Sequence, residues 1–312
     1  MLDVSVIIVN FNTSSYTYEA VKSIYDNQNG FDLKFEVVVV DNNSKSEDYK
    51  NLETQIKRID KASLKLIRSK INGGFSQGNM LGVQMASPCK YYAFINNDTL
   101  QTHQNVLGLL MEFMTEHPDA GICSPQMLDE HKNFRVTIDH FSSLQREILR
   151  RPLLEKLFPK TYLNRKIRYD KPTKVHYVQG SFMFVDAAVF NQLGGLDTNL
   201  FLYYEESDLS LRFLKQNQKN TYLVPDVEYI HYKGISTKKN ILIKIEQKIS
   251  LLYYIRKHYG WLAYHILIKW YIIRYFFSSL LKPGYWKLFR VLFIGAPLSE
   301  SLKHKQQINE DL

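Results

Sequence analysis

Four short apolar runs, each ending in polar residues, constrain the fold of this chain more than any other feature. The runs cover residues 4–9, 35–40, 64–67 and 91–95 and are rich in valine, isoleucine and leucine. Continuous apolar runs of this length are typical of parallel strands covered on both faces. Helical spacing between the strands, clearest over residues 17–25, matches βαβ units. The pattern predicts an α/β fold with a doubly wound, mostly parallel sheet.

Polar residues stand where each run ends. They are Asn10 with Asn12, then Asp41, then the glycine-rich stretch 72–82, then Asn96-Asn97-Asp98. Ligands of open parallel sheets bind beyond the carboxyl ends of the strands. We therefore expect these polar clusters to converge on one crevice.

Composition limits the class of protein and leaves its partner open. The chain has 312 residues, 45% hydrophobic and 23% charged, which suits one large α/β domain with an appendage, or two small domains. It excludes disorder and collagen-like repeats as the main state. The net charge of +9 indicates an anionic partner without choosing among nucleic acid, phospholipid and nucleotide-sugar.

Cysteine content and the amino terminus indicate a reducing cytoplasm. Cys89 and Cys123 are too few for a disulfide scaffold and lack metal-site spacing. The apolar start of the chain carries Asp3 and has neither a basic region nor a small-residue cleavage site. It therefore predicts a buried strand rather than a signal peptide.

Each candidate site also has an ordinary structural interpretation. Asp98 at a strand end can hold Mg²⁺ or Mn²⁺ against a diphosphate, but Asn-Asn-Asp is also favoured in turns. Asp41 can accept hydrogen bonds from a base or a ribose, or can cap a helix. The glycines of 72–79 allow a close backbone approach to an anion, or form a plain loop.

Two further motifs follow in the second half of the chain. Glu205-Glu206-x-Asp208 crowds three carboxylates beside aromatic residues, which raises proton affinity as a general base requires. The alternative is the acidic start of a short helix, predicted over 209–215. His231 opens a predicted loop and is a metal ligand or a structural histidine.

In their order along the chain, these motifs resemble glycosyltransferase family 2. The similarity covers about residues 4–240 and is greatest to the rhamnosyltransferase-like branch that builds bacterial surface polysaccharides. It rests on Val6-Ile7-Ile8-Val9-Asn10-Phe11-Asn12, Val40-Asp41-Asn42-Asn43-Ser44, Asn72-Gly73-Gly74-Phe75, Asn96-Asn97-Asp98, Gly180, Glu205-Glu206-x-Asp208 and His231-x-x-Gly234-x-Ser236. The resemblance implies a GT-A fold, a Rossmann-like, mostly parallel sheet flanked by helices, with a C-terminal helical appendage.

The resemblance also implies roles for individual residues. Asp41 would recognise the base, and Asp98 with His231 would hold Mg²⁺ or Mn²⁺. Glu206 would be the catalytic base, with Asp208 supporting it and Glu205 as second choice. The nucleotide or donor-sugar contacts would be Asn10, Asn12, Asp41, Asn72, Gly74, Phe75, Asn97 and Ser236.

Two positions depart from the family pattern. Glu206 stands where the family usually has aspartate, so the base is one methylene longer. Asn96 replaces the first acid of the metal motif, which predicts modest metal affinity. The implied reaction is a single displacement that inverts the anomeric carbon.

The C-terminal segment differs in composition from the rest. Between residues 238 and 293, eleven lysines and arginines, interleaved with aromatics, face one acid, Glu246. Residues 261–281 are long enough to span a bilayer, but His265, Lys269 and Arg274 interrupt them. The sequence predicts a catalytic domain over 1–240 and a helical segment over 241–312 that lies on an anionic membrane surface. The alternative is a helical hairpin packed on the catalytic domain or on a second subunit, as in a homodimer.

The sequence thus predicts an inverting, metal-dependent hexosyltransferase. It would move a sugar from dTDP-rhamnose or a UDP-sugar to a hydroxyl of a glycan or lipid-linked glycan in cell-surface polysaccharide synthesis. We expect it in the cytoplasm, peripheral to the inner face of the plasma membrane. The alternative is a catalytically inactive, membrane-associated scaffold with the same fold. Nucleic acid is not an expected partner, because the basic aromatic segment follows no known reader motif.

Overall fold

Strands and helices alternate along the first part of the chain, and long helices follow at the end. The computed structural model describes residues 1–28, 30–232 and 240–309. The strands are β1 (Leu2–Asn10), β2 (Phe35–Asp41), β3 (Leu64–Arg68), β4 (Cys89–Ile95), β5 (Thr99–Gln101), β6 (Ala120–Leu128), β7 (Ile138–Asp139), β8 (Thr173–Val175), β9 (Tyr177–Val178), β10 (Phe182–Asp186) and β11 (Asn220–His231). The helices are α1 (Ser14–Gln28), α2 (Ser46–Lys57), α3 (Gly74–Met85), α4 (Val106–Glu116), α5 (Leu144–Leu149), α6 (Arg151–Leu157), α7 (Ala187–Gln192), α8 (Glu205–Asn217), α9 (Ile241–Leu281) and α10 (Trp286–Phe293).

The main sheet has the strand order β3-β2-β1-β4-β10-β6-β11-β5, with β8 pairing β11. The four strands predicted from sequence are neighbours and run parallel. Strand β10 is antiparallel to β4 and β6, and β6 runs parallel to β11. A small second sheet pairs β7 with β9. The predicted α/β class, with a mostly parallel central sheet and a C-terminal helical region, is confirmed.

The two central strands bury side chains on both faces. Val6 and Ile8 of β1 pack in one hydrophobic cluster, whereas Ile7 packs in a second cluster on the opposite face. Val39 and Val40 of β2 divide between the faces in the same way. Because successive side chains of a strand point to opposite faces, a doubly covered strand needs a continuous apolar run. This explains the pattern from which the sheet was predicted.

Several predicted elements have different bounds in the structure. Helix α8 begins at Glu205, four residues before the predicted start. The strand predicted over 222–225 is the middle of the twelve-residue β11, and His231 ends that strand rather than opening a loop. Pairing with β6, β5 and β8 extends β11 beyond its apolar centre. The strand predicted over 175–185 is divided among β8, β9 and β10, which pair with different strands.

Helix α9 consists of two helical stretches that meet at Gly260, whose φ of 85° and ψ of −179° are not helical. Its first stretch buries Leu252 and Ile255 against Phe141 and Leu211 of the preceding part of the chain. The C-terminal helices therefore share a core with the sheet-containing part. Across residues 1–28, 30–232 and 240–309, no helix is both long enough and apolar enough to cross a membrane.

A buried ion cluster joins α8 to α9. Asp208 is fully buried and accepts hydrogen bonds from Arg212 Nε at 2.8 Å and from His258 Nε2 at 2.7 Å. Lys257 Nζ lies 2.6 Å from the same carboxylate. Burial alone would raise the pKa of Asp208, but the His258 hydrogen bond and the Arg212 and Lys257 charges outweigh it and lower that pKa to about 2. The carboxylate is thus charged, and it fixes the start of α8 to α9.

Replacement of Asp208 by asparagine should destabilise the fold. It leaves buried cations without a counter-charge, so we expect the free energy of unfolding in urea at neutral pH to fall by about 3–5 kcal/mol. Asp26→Asn, in the exposed pair of Asp26 with Lys22, is the matched control and should cost under about 0.5 kcal/mol.

The same pair of proteins gives a pH test. The folded-state pKa lies below the ordinary 3.8, so the stabilisation is present above pH 3.8 and is lost as the pH falls towards 2. The stability difference between the wild type and Asp208→Asn should therefore shrink in this window. A difference that is small at neutral pH would contradict the ion cluster as the joint between the helices.

Candidate active site

Asn10, at the carboxyl end of β1, holds the edge of the sheet together. Its fully buried side-chain amide donates to Asp41 Oδ1 at 2.9 Å, to Ser44 Oγ at 3.1 Å and to Asp48 Oδ2 at 3.1 Å. Its Oδ1 accepts from Thr17 Oγ1 at 2.7 Å. Asn10 therefore connects the ends of two strands with α1 and α2, and fixes where Asp41 stands.

Asp41, the proposed base-recognition residue, is fully buried at the end of β2. Its Oδ2 accepts from the Ser44 backbone N–H at 3.1 Å and lies 3.4 Å from Arg68 Nε. Arg68 stands opposite Asp41 in the β2–β3 register, and its guanidinium lies over the Tyr49 ring. Sequence reasoning missed Arg68. A cation at the carboxyl end of the third strand was the available signal.

Asn12 begins the turn after β1 and lines a cavity of about 500 Å³. Its backbone N–H donates to Ser44 Oγ at 2.8 Å, and its Oδ1 accepts from the Lys45 N–H at 2.9 Å. Asp48 lines the same cavity. The cavity therefore opens between the turn after β1 and the first turns of α1 and α2.

Asn97 is turned towards the first helix. Its amide donates to Thr13 Oγ1 at 2.6 Å and to Thr17 Oγ1 at 2.8 Å. Asn97 is itself buried, and Thr17 is fully buried. The amide therefore braces the end of β4 against α1.

Asp98 and His231 form a buried pair at the same edge of the sheet. Strand β5 pairs with β11, which brings Asp98 Oδ1 within 3.1 Å of His231 Nε2 across 133 positions of sequence. The Tyr232 N–H donates to the Asp98 carbonyl at 2.9 Å, and the buried His231 Nδ1 has no hydrogen-bond partner among the described residues. No second contact from these residues fixes the tautomer of His231.

The chemistry of this pair fits a divalent metal. Two cis ligands at about 2.1 Å from an ion lie about 3.0 Å apart, close to the separation of Asp98 Oδ1 and His231 Nε2. Among the described residues, no group of three His, Cys, Asp or Glu side chains gathers for a metal. Mg²⁺ is usually held by only one or two protein carboxylates and by substrate phosphates. Two protein ligands are therefore sufficient for such a site.

The glycine-rich loop meets the segment that leads into α8. Asn72 Oδ1 accepts from the Gly74 N–H at 2.9 Å, and the Phe75 N–H donates to the Phe201 carbonyl at 2.8 Å. Gly74 has a φ of 72°, and a Cβ there would lie 2.1 Å from the Phe201 oxygen. Gly180 packs against the Phe75 ring. The loop that is proposed to contact the donor thus contacts the segment that carries the proposed base.

The first residues of α8 are two glutamates in different environments. Glu205 is buried, and its Oε2 has no hydrogen-bond partner in the part of the chain that the structure describes. Burial together with the charge of Glu206 raises the pKa of Glu205 well above the ordinary value. Glu206 is partly exposed; burial, with a smaller contribution from Asp139, raises its pKa to about 7. Glu206 is thus the glutamate poised to exchange a proton near neutral pH. Sequence reasoning missed Asp139, which lies in the stretch 127–172 that showed no clean period.

Of the predicted site residues, Asp208 belongs to the ion cluster that holds α8. Ser236 lies outside the described residues, so the structure gives no contact for it. The remaining residues fall into two neighbouring groups. The sheet edge carries Asn10, Asn12, Asp41, Asn97, Asp98 and His231, and the loop–helix junction carries Asn72, Gly74, Phe75, Glu205 and Glu206.

Comparison with known proteins places the chain among sugar transferases. A family model described as glycosyl transferase family 2 matches residues 5–194. The match ends before Glu205, so the assignments of Glu206 and His231 depend on the motifs and on the geometry of this chain.

Two curated relatives are similar over part of their length. An N-acetylglucosaminyl-diphospho-decaprenol L-rhamnosyltransferase of Mycobacterium tuberculosis is 24% identical over 176 residues, which cover 54% of this chain and 57% of that protein. The low-salt glycan biosynthesis hexosyltransferase Agl10 of Haloferax volcanii is 29% identical over 226 residues, which cover 69% of this chain and 62% of that protein. The chain thus spans less than two thirds of the length of these relatives.

Solved structures share the fold at low sequence identity. GalNAc-T7, crystallised with UDP, GalNAc and Mn²⁺, has a TM-score of 0.58 at 17% identity and covers 80% of this chain and 48% of its own. Staphylococcus aureus TarS 1–349 in complex with UDP has a TM-score of 0.52 at 17% identity, and the match covers 82% of this chain and 66% of the TarS chain. At this identity the similarity establishes the fold alone.

Substitution of Gly74 by alanine should disturb the junction between the loop and the segment before α8. A left-handed backbone costs alanine about 1–2 kcal/mol, and the overlap with Phe201 adds about 1–3 kcal/mol. We expect a lower melting temperature in calorimetry and weaker binding of nucleoside diphosphate. Gly284→Ala, where a Cβ meets no atom within 4 Å, is the control and should behave as wild type. Equal behaviour of the two variants would show that this contact is dispensable.

Proposed function

The chain belongs to glycosyl transferase family 2, and from that premise we propose that it transfers a hexosyl group from a nucleoside-diphosphate sugar to a hydroxyl of a glycan or lipid-linked glycan. The observation that carries the proposal is the buried pair of Asp98 with His231, 3.1 Å apart at the carboxyl edge of the sheet. A carboxylate and an imidazole in that position suit an ion that binds a diphosphate.

Asp98 and His231 are the proposed ligands of Mg²⁺ or Mn²⁺. When bound, such an ion neutralises the developing charge of a leaving diphosphate. The protein itself supplies a buried pair of ligands, Asp98 in the turn before β5 and His231 at the end of β11, so their separation does not have to be set during binding. Asn97 and Asn10 support this arrangement through the hydrogen bonds that anchor the strand ends.

Glu206 is the proposed general base. It would accept the proton of the acceptor hydroxyl while the hydroxyl oxygen bonds to the anomeric carbon and the bond from that carbon to the diphosphate breaks. Attack opposite to the leaving group inverts the anomeric centre. Glu205 is the weaker candidate, because it is buried and because burial raises its pKa well above the ordinary value. Asp208 supports the base by fixing the first turn of α8 to α9.

The donor is proposed to be dTDP-rhamnose or a UDP-sugar, and the product a cell-surface polysaccharide. The names of the two curated relatives, a rhamnosyltransferase and a glycan-biosynthesis hexosyltransferase, support this class of reaction. The name of the Mycobacterium tuberculosis relative includes diphospho-decaprenol, which supports a lipid-linked acceptor. We propose the inner face of the plasma membrane as the place of the reaction. We further propose that residues 1–240 form the catalytic unit and residues 241–312 its helical appendage.

A screen of nucleotide-sugars tests the proposed reaction and its metal requirement. We expect one donor to release nucleoside diphosphate with Mn²⁺ or Mg²⁺ and an acceptor, and chelator to stop the release. Asp98→Asn should lower kcat/KM at least about a hundredfold and should also weaken Mn²⁺-dependent binding of the nucleoside diphosphate in calorimetry. Asp3→Asn, which alters an exposed pair with Lys90, is the control. No turnover and no nucleotide binding across the panel would favour the inactive scaffold instead.

The pH dependence of kcat/KM tests the identity of the base. A base must be deprotonated to act, so activity should rise with pH to a plateau with an apparent pKa of about 7. Glu206→Gln should lower kcat about 10²- to 10⁴-fold and remove this rise. Glu205→Gln is the matched control, because it changes the neighbouring glutamate and leaves Glu206 in place, and it should keep the rise. The opposite result for the two variants would assign the base to Glu205.

A further inference from the structure

The second stretch of α9, after Gly260, is apolar on two sides. On its inner side, Leu267 and Tyr271 are buried in the core shared with the rest of the chain. On its outer side, Leu262, Trp270 and Phe277 follow helical spacing and remain 67%, 41% and 62% exposed. A helix on a water-exposed surface normally carries polar residues on its outer side. This outer side therefore departs from the pattern of a solvated helix.

Helix α10 continues the same surface. Trp286 and Phe293 are 41% and 69% exposed. The rings of Phe276 on α9 and Trp286 on α10 are 6.1 Å apart, which joins the two helices into one patch. We call this patch the C-terminal apolar face, and its main members are Leu262, Trp270, Phe277, Leu281, Trp286 and Phe293. A contiguous exposed apolar patch of this kind marks an interaction surface.

The charged side chains that α9 and α10 expose beside this face are all positive. Lys269, Arg274, Lys287 and Arg290 are exposed on the same two helices, and Lys282 is exposed between them. The sequence has no aspartate or glutamate between residues 256 and 294. A second copy of the chain on this face would bring like charges together, which opposes association. A negatively charged surface with an apolar interior complements both the cations and the aromatic rings.

We propose that the C-terminal apolar face lies in the interface of an anionic lipid bilayer, with its rings among the acyl chains and its cations at the headgroups. The helices lie on the bilayer and do not cross it. The proposal deepens the proposed function, since it places the enzyme where a lipid-linked acceptor is presented, but the surface itself does not depend on turnover.

The catalytic unit is fixed with respect to this face. Tyr253 OH and Lys257 Nζ, on the first stretch of α9, contact Asp197 Oδ2 at 2.8 Å and 2.7 Å. His258 contacts Asp208, at the start of the helix that carries Glu206. Lipid binding by the face would therefore orient the loop and helix of the proposed base relative to the membrane.

The tryptophans of the chain provide a direct probe. The sequence has three, Trp261, Trp270 and Trp286, and all three lie on or beside this face, 65%, 41% and 41% exposed. On addition of vesicles containing phosphatidylglycerol, we expect a blue shift of tryptophan emission and quenching by lipids brominated on their acyl chains. Vesicles of phosphatidylcholine alone should bind at least about tenfold more weakly, because several cations contribute to the attraction.

Variants with exposed substitutions keep the test independent of folding. The double variant Phe277→Ser and Phe293→Ser should lower the vesicle partition coefficient at least about tenfold. The double variant Lys287→Gln and Arg290→Gln should weaken binding to anionic vesicles and leave the weak binding to neutral vesicles unchanged. Phe158→Ser removes a ring that is 55% exposed elsewhere on the chain and should bind as wild type.

Three outcomes would overturn the proposal. One is a wild-type protein that does not bind anionic vesicles. Another is a dimer by analytical ultracentrifugation that the Phe277 and Phe293 substitutions dissociate, which would assign the face to a second copy. The third is lipid binding that survives both double variants. Vesicle binding requires neither nucleotide nor metal, and donor turnover is measured on the same preparation. Failure of this proposal and failure of the proposed function are therefore distinguishable.

Discussion

The site depends on the buried amide of Asn10 more than on any other single group. This amide joins the ends of β1 and β2 through Asp41, and reaches α1 and α2 through Thr17 and Asp48. A buried amide that lost these partners would cost about 1–3 kcal/mol per unsatisfied group, so the network has one favourable arrangement. That arrangement fixes Asp41, and through Thr17 it also fixes Asn97 at the end of β4. Positions that are far apart in sequence thus become one rigid edge.

A second set of contacts positions the helix that carries the proposed base. Tyr203 and Tyr204, immediately before α8, both have left-handed backbone conformations, with φ of 73° and 72°. Such conformations cost bulky residues about 1–3 kcal/mol each and persist only where the surroundings enforce them. Here the surroundings come from α9, where Ser250 donates to the Leu202 carbonyl and the Tyr254 ring lies 5.7 Å from that of Tyr204. Helix α9 therefore also helps to position α8, the helix that carries the proposed base.

Three carboxylates within four positions have three different proton affinities. Asp208 has its pKa lowered by His258 and by neighbouring cations, Glu206 has a pKa raised to about 7, and Glu205 has a pKa raised well above the ordinary value by burial and by its neighbour. The chemical groups are nearly the same, so the differences come from which partner each side chain meets. Only Glu206 combines partial exposure with a pKa near neutrality, which is the property that a general base requires.

The apolar runs of the sequence are sufficient to predict the parallel core of the sheet and to place polar residues at its carboxyl edge. The physical reason is local: a doubly covered strand needs a continuous apolar run, and the residue after it stands at the edge. Asn10, Asp41 and Asp98 could therefore be assigned to one crevice before any contact was known. The composition changes from Lys238 onward, and the helical segment was predicted to begin at residue 241, where α9 begins.

The other features of the site depend on contacts between segments that are distant in sequence, so they follow only from the tertiary structure. No local pattern pairs Asp98 with His231, since strand pairing across 133 residues creates that contact. Tertiary contacts likewise set the full length of β11 and the start of α8 at Glu205. They also bring Arg68 close to Asp41 and Asp139 close to Glu206. The different proton affinities of Glu205, Glu206 and Asp208 also follow from tertiary contacts. Burial and the nearness of opposite charges set a proton affinity, and both are properties of the folded chain.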